Sequence, residues 1–306
     1  MIAEEIHKPE KNKFTLSEHP WISLGALWGT EIFVLVLVAL AANLIGVPAD
    51  APYRPLITPT LAHILVLFIL TPSVLHLPNG KRLLRSYLED IRLSQIQPFL
   101  PLLFLGVSSS LILLLSLASN SIVYRMVQGL PINTCFLRRM IDLRADLPPD
   151  SHSYIVSFPA IFEEVSWRGV MLVLFLKKYS AKKSILITAL GFGVMHFLNL
   201  IGGVDPAFVL RQVIFGSALG LFYGYLVLRA DSLMPAMLFH YLVNLFIGSF
   251  TGYFQRYVPT GTQTLYTLIN LTFSVPALIL WVRFFCDRWI PRADGLNPVI
   301  SWRKYK

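Results

Sequence analysis

The sequence predicts an all-α fold: a polytopic bundle of about eight transmembrane helices in a single membrane domain, residues 1–306. Hydrophobic residues make up 55% of the chain and charged residues only 14%. The mean hydropathy is +0.62, and such a composition is typical of integral membrane proteins. Apolar segments of about 20 residues, the length of a membrane-crossing helix, also recur along the chain.

Eight segments have this character, with approximate bounds 24–47, 58–78, 97–119, 154–176, 184–203, 207–228, 232–253 and 264–286. We expect residues 1–23 and 287–306 to be cytoplasmic tails. The first 20 residues are polar and mixed in charge. They lack the apolar core of a signal peptide, so we expect no removable leader.

The basic residues predict the orientation of the bundle. If the N-terminus is cytoplasmic, segments on the cytoplasmic side hold 18 of the 26 Lys and Arg residues, as positive charge is retained on that side. We therefore expect both termini to be cytoplasmic. The loop 120–153 carries four arginines on the opposite side, which makes it a candidate for an interfacial or re-entrant helix.

The net charge of +9 is spread over short loops and tails. It lies on no continuous basic face, so membrane lipid is the expected partner and nucleic acid is not. Cys135 and Cys286 have neither a disulfide framework nor a metal-ligand spacing, and we expect two unpaired thiols.

The first three spans carry few polar groups. Glu31, His63 and His76 lie close to predicted span ends or near prolines, where interfacial water is available, so we interpret them as structural. In the sixth span, Gly216, Gly220 and Gly224 are four residues apart. They fall on nearly one helix face, which predicts close packing against a neighbouring helix.

The fourth span contains three charged side chains. An ionised group at bilayer depth costs at least about 2.5 kcal/mol, so each needs a partner or a function. At 100° per residue, Glu164 and Arg168 lie about 40° apart and can pair, whereas Glu163 and Arg168 lie about 140° apart. We therefore predict a Glu164–Arg168 ion pair that leaves Glu163 available for acid or base chemistry.

Two more spans carry polar groups at similar depth. His196 follows Phe192 by four residues and shares its helix face, and His240 and Asn244 are spaced likewise. An imidazole and an amide together offer two donors to a negative oxygen, although a structural interhelical hydrogen bond is an alternative. Glu163, His196 and His240 fall within about a third of the bilayer thickness of one another, which permits a single intramembrane site.

The segments "EEVSWRG", "FGVMH" and "HYLVN" resemble the three motifs of the CPBP family of intramembrane proteases, EExxxR, FxxxH and HxxxN/D. This family, also called the CAAX amino terminal protease family, includes the CAAX prenyl endopeptidases of the Ras-converting type. The resemblance covers Phe158 to about Phe246, inside the motif-bearing core of residues 154–253.

The resemblance implies a glutamate-dependent protease without a cofactor, acting on a membrane-associated or prenylated peptide or protein. By likeness, Glu163 is the general base on a water, assisted by His196, and His240 with Asn244 stabilises the oxyanion. Glu164, Arg168 and Phe192 support the site. The expected location is a bacterial plasma membrane, as an integral, multi-pass protein.

Alternatives to this interpretation stay open at this point. Glu163, His196 and His240 form a two-histidine, one-carboxylate set that could hold a divalent metal ion. No HExxH, GxSxG or GxGD motif is present to indicate other protease classes. A protein of this fold could instead act by binding alone, as in bacteriocin immunity, or as a proton-coupled transporter.

Overall fold

A computed structural model describes residues 16–48, 51, 54–75, 83–140 and 157–290. Within these ranges the regular secondary structure is helical, which confirms the all-α fold class. The α-helices are α1 (Pro20–Leu44), α2 (Arg54–Ile64), α3 (Thr71–Leu75), α4 (Leu83–Asp90), α5 (Phe99–Val127), α6 (Thr134–Met140), α7 (Pro159–Glu164), α8 (Leu172–Lys178), α9 (Ala181–Met195), α10 (Pro206–Ala230), α11 (Met234–Tyr257) and α12 (Thr260–Trp289).

Within the described ranges, two π-helical segments interrupt the α-helices. Leu65–Leu70 joins α2 to α3, and Val165–Met171 joins α7 to α8. Helix α7, the segment Val165–Met171 and α8 follow one another without a break. We call this continuous helix the motif helix, because it carries Glu163, Glu164 and Arg168. A π-helical turn admits an extra residue and is frequent at functional sites.

Six of the described helices are long and apolar enough to cross a membrane: α1, α5, α9 with the following 3₁₀ turn to Leu200, α10, α11 and α12. The polytopic bundle is thereby confirmed, but the count of eight spans is not. The predicted span 58–78 corresponds to a shorter apolar helix, Ile57–Ser73, and its last residues lie outside the described ranges. The predicted span 154–176 corresponds to the motif helix, residues 159–178, which contains three charged residues within that span and is not among these six helices.

Several helix ends differ from the prediction. Helix α1 begins at Pro20, inside the predicted tail 1–23, and α12 continues to Trp289. Helix α5 runs to Val127, eight residues beyond the predicted span end. The loop that follows contains the short helix α6, whose Phe136 packs edge-on against Tyr253 of α11, while residues 141–156 lie outside the described ranges.

Helix α5 lies against α11 and α12 and forms much of the core. Leu102, Leu105 and Leu113 are fully buried on it. The contact with α12 is also polar, because Asn270 Nδ2 donates to the carbonyl oxygen of Ser116 over 2.7 Å. Such interhelical hydrogen bonds hold helices together where lipid supplies no hydrophobic driving force.

The glycine face of α10 packs against α9, as predicted. A Cβ atom on Gly220 would lie 2.8 Å from the Cα of Ala189, and one on Gly224 would lie 3.0 Å from Ile185. On α9, a Cβ on Gly193 would lie 2.5 Å from the carbonyl oxygen of Val213. This close approach fixes the end of α9, where His196 follows.

Neither cysteine forms a disulfide; Cys135 is exposed and Cys286 is buried. Helix α1, by contrast, is the least enclosed of the long helices. Large apolar side chains such as Phe33 and Leu40 point outward from it, as expected for a helix that faces lipid.

Candidate active site

The first and third motifs meet at one carboxylate, that of Glu164. Its Oε1 accepts a hydrogen bond from Nη1 of Arg168 at 3.1 Å, the ion pair predicted from helix geometry. The same oxygen accepts a hydrogen bond from Nδ1 of His240 at 2.8 Å. Glu164 and Arg168 are both fully buried, so Glu164 links the motif helix to α11 inside the protein.

Two aromatic rings cover the buried guanidinium of Arg168. Its Cζ lies 4.4 Å from the ring centroid of Phe192 and 4.7 Å from that of Tyr223. Its Nε and Nη2 make no hydrogen bond to any described residue. The ring faces therefore stabilise this cation, since a desolvated cation–π contact contributes about 2 kcal/mol.

The same two rings hold His240. Tyr223 stacks on the imidazole with centroids 5.0 Å apart, and Phe192 meets it edge-on at 5.8 Å. Because a carboxylate can only accept, the hydrogen bond to Glu164 puts the proton of His240 on Nδ1. Nε2 of His240 then lies 3.8 Å from Oε2 of Glu163. In the neutral ring Nε2 is a hydrogen-bond acceptor, and it becomes a donor when both ring nitrogens carry hydrogen.

His196 begins the 3₁₀ turn that ends α9. Its Nδ1 lies 3.0 Å from the carbonyl oxygen of Phe192 and 3.3 Å from that of Gly193. Since carbonyls only accept, Nδ1 carries the proton and Nε2 is an acceptor. Phe192 also contacts His196 edge-on at 5.2 Å, so this ring touches both histidines and the arginine.

The predicted catalytic side chains line one cavity. Its volume is about 950 Å³, and Glu163, His196, His240, Asn244 and Tyr223 are among its lining residues. Glu163 keeps 27% of its side chain exposed, whereas Glu164 beside it is buried. The two adjacent carboxylates thus differ in surroundings, one facing the cavity and one facing the interior.

Sequence reasoning interpreted two polar residues of this cavity as structural and did not predict that they line it. Glu31 and His63 line the cavity together with Glu163. Glu31 is the only charged residue of α1 and lies near its middle, since the helix begins at Pro20. The position of this charge in the middle of an apolar helix is the feature of the sequence that could have indicated a functional role for Glu31. His76 lies outside the described residues.

Tyr223 carried no signal in the sequence, because an aromatic residue in an apolar helix is unremarkable there. Its position next to the predicted residues depends on how α10 packs against α9 and α11.

The arrangement of possible metal ligands is a separate question. Among the described residues, no group of three His, Cys, Asp or Glu side chains could hold a metal ion. Glu163, His196 and His240 therefore do not form such a group in this structure.

Comparison with known proteins bears on this region of the chain. Residues 153–246 match a family described as type II CAAX prenyl endopeptidase Rce1-like. No curated protein and no solved structure matches the chain. The matched segment contains all three motifs, so residues 153–246 are similar to the Rce1-like family of CAAX prenyl endopeptidases.

Proposed function

We propose that this protein is an intramembrane endopeptidase that hydrolyses a peptide bond of a membrane-associated or prenylated substrate. The observation that carries the proposal is the shared cavity of Glu163, His196, His240 and Asn244. These residues come from the motif helix, the end of α9 and α11. Together they offer a carboxylate, two imidazoles and an amide to one bound peptide bond.

In the proposed reaction, Glu163 takes a proton from a water molecule. The resulting hydroxide attacks the carbonyl carbon of the substrate. Nε2 of His196 is an acceptor, because its Nδ1 proton is held by backbone carbonyls of α9, and it can orient the same water. Attack gives a tetrahedral intermediate with a negative oxygen.

Asn244 Nδ2 is the permanent donor to this oxyanion. His240 Nε2 becomes a second donor when its ring is protonated on both nitrogens. The proton held by Glu163 then passes to the departing amine nitrogen and the C–N bond breaks. Glu164 and Arg168 take no part in proton transfer. Their role is to keep His240 and the motif helix in a fixed position relative to each other.

The proposal is tested by cleavage of a panel of prenylated and unprenylated membrane peptides by purified protein in detergent. Wild type is compared with Glu163→Gln, which keeps the shape of the side chain and removes the base. Glu89→Gln is the matched control, since Glu89 pairs with Arg85 on α4, away from the cavity. Each variant also receives a thermal melt.

We expect Glu163→Gln to abolish cleavage with an unchanged melting temperature, and Glu89→Gln to cleave like wild type. Full cleavage by Glu163→Gln would contradict the proposal. A protein that acts by binding would tolerate this substitution, because the shape of the cavity is kept.

A further inference from the structure

Helices α1 and α2 lie outside the segment that matches the Rce1-like family, yet each sends a polar side chain to the catalytic cavity. Glu31 comes from α1 and His63 from α2. An ionised carboxylate in the middle of an apolar helix costs at least about 2.5 kcal/mol, which calls for a functional explanation.

Glu31 is joined to the motif helix by a short hydrogen bond. Oγ of Ser166 donates to Oε1 of Glu31 at 2.5 Å. Ser166 is buried and lies in the π-helical segment, one turn after Glu163. Residues three apart lie on the same side of a helix. The hydrogen bond from Ser166 to Glu31 therefore holds in place the helical turn that carries Glu163.

Aromatic contacts keep α1 in place for this bond. Trp28, one turn before Glu31, meets Trp167 edge-on at 5.3 Å. Near the other end of the motif helix, Trp21 meets Phe175 at 4.9 Å. The side of α1 that carries Glu31 is therefore pressed against the motif helix, while other large apolar side chains of α1 point outward.

His63 contacts the motif helix on the N-terminal side of Glu163. Its ring stacks on that of Phe162, the residue before Glu163, with centroids 5.2 Å apart and planes 16° apart. Its Nδ1 lies 2.6 Å from the carbonyl oxygen of Pro59, which fixes the orientation of the ring. Helix α2 thus contacts the motif helix just before Glu163, through His63 and Phe162. Helix α1 contacts it one turn after Glu163, through Glu31 and Ser166.

We propose that Glu31 and His63 are positioning residues that hold Glu163 in its reactive orientation. The role of Glu31 is to accept the hydrogen bond from Ser166, and its negative charge is not required. The role of His63 is to stack on Phe162. This inference rests on the proposed function, because it assigns Glu163 a reaction that depends on its placement.

The test compares kcat and KM of wild type with variants that keep or remove each contact. Glu31→Gln keeps an oxygen acceptor for Ser166, whereas Glu31→Leu removes it. Ser166→Ala removes the donor. Thr30→Leu is the matched control, because Thr30 neighbours Glu31 on α1 and is not a lining residue of the cavity.

We expect Glu31→Leu and Ser166→Ala each to lower kcat by about 10²-fold, the loss that a misplacement of about 1 Å causes, with KM changed less than about twofold. The double variant should lose no more than either single variant, since both remove one contact. Glu31→Gln and Thr30→Leu should stay within about threefold of wild type. A purely structural role would lower the melting temperature and leave the kcat of the folded fraction unchanged.

For His63, we expect His63→Phe to keep the stack and nearly all activity, and His63→Ala to lower kcat about tenfold. Full kcat in Glu31→Leu, or equal losses in Glu31→Leu and Glu31→Gln, would overturn the inference for Glu31. Those outcomes leave Glu163→Gln inactive. Failure of the proposed function itself shows instead as cleavage retained in Glu163→Gln.

Discussion

Glu164 and His240 lie 76 positions apart in the chain and are joined by a 2.8 Å hydrogen bond from Nδ1 to Oε1. This bond connects the first motif to the third and fixes the imidazole so that Nε2 lies on the side of Glu163. Since the same carboxylate oxygen also accepts from Arg168, one buried group orients both a candidate catalytic residue and its own helix.

Glu164→Gln should destabilise the protein. It leaves the buried guanidinium of Arg168 without a counter-charge, and breaking a buried ion pair from one side costs about 3–5 kcal/mol. A thermal melt in detergent measures the effect against Glu163→Gln, which removes a partly exposed carboxylate. Equal melting temperatures for the two variants would contradict the supporting role of Glu164.

Arg168→Lys should also destabilise, although it keeps the charge. An ammonium group lacks the planar face that packs between Phe192 and Tyr223, and we expect a loss of about 2 kcal/mol. Arg85→Lys is the control, because the side chain of Arg85 is 73% exposed and its surface pair contributes about 0–1 kcal/mol. Similar melts for the two Lys variants would show that the ring contacts add no stability.

Asn244→Ala should lower kcat by about 10²–10³-fold, the usual effect of losing one oxyanion donor. The melting temperature should stay unchanged, because Asn244 faces the open cavity and its truncation leaves no buried partner. Kinetics on a cleaved peptide of the panel provide the measurement. A rise in KM with an unchanged kcat would assign Asn244 to substrate binding instead.

Gly220→Ala should disturb the site from a distance. The added Cβ would lie 2.8 Å from the Cα of Ala189, so α9 and α10 must move apart. We expect a loss of about 1–3 kcal/mol, typical of overpacking, and reduced activity because His196 follows α9. Gly252→Ala, whose Cβ would meet nothing within 4 Å, should have neither effect.

Chelation distinguishes the two ways of activating water. A reaction driven by Glu163 alone should be unaffected by prolonged incubation with EDTA or 1,10-phenanthroline. A metal held by Glu163, His196 and His240 would be lost, and activity with it. Restoration of that activity by added Zn²⁺ would establish the metal alternative.

The sequence by itself determined what depends on local geometry. The apolar segments predicted a helical membrane bundle, because only a helix of about 20 residues satisfies its backbone inside lipid. Helix periodicity predicted the pairing of Glu164 with Arg168 and the packing face of Gly220. These features involve residues within a few positions of one another, so one helix suffices to define them.

Only the tertiary structure decided which distant groups meet. Helix packing brings Glu164 to His240, puts Tyr223 over Arg168, and places Glu31 at the cavity that Glu163 lines. Periodicity says which face of a helix a residue occupies, but not which neighbour that face meets. The count of eight spans stays a prediction: six of the described helices are long and apolar enough to cross a membrane, while the motif helix carries a buried carboxylate whose partner His240 only helix packing supplies.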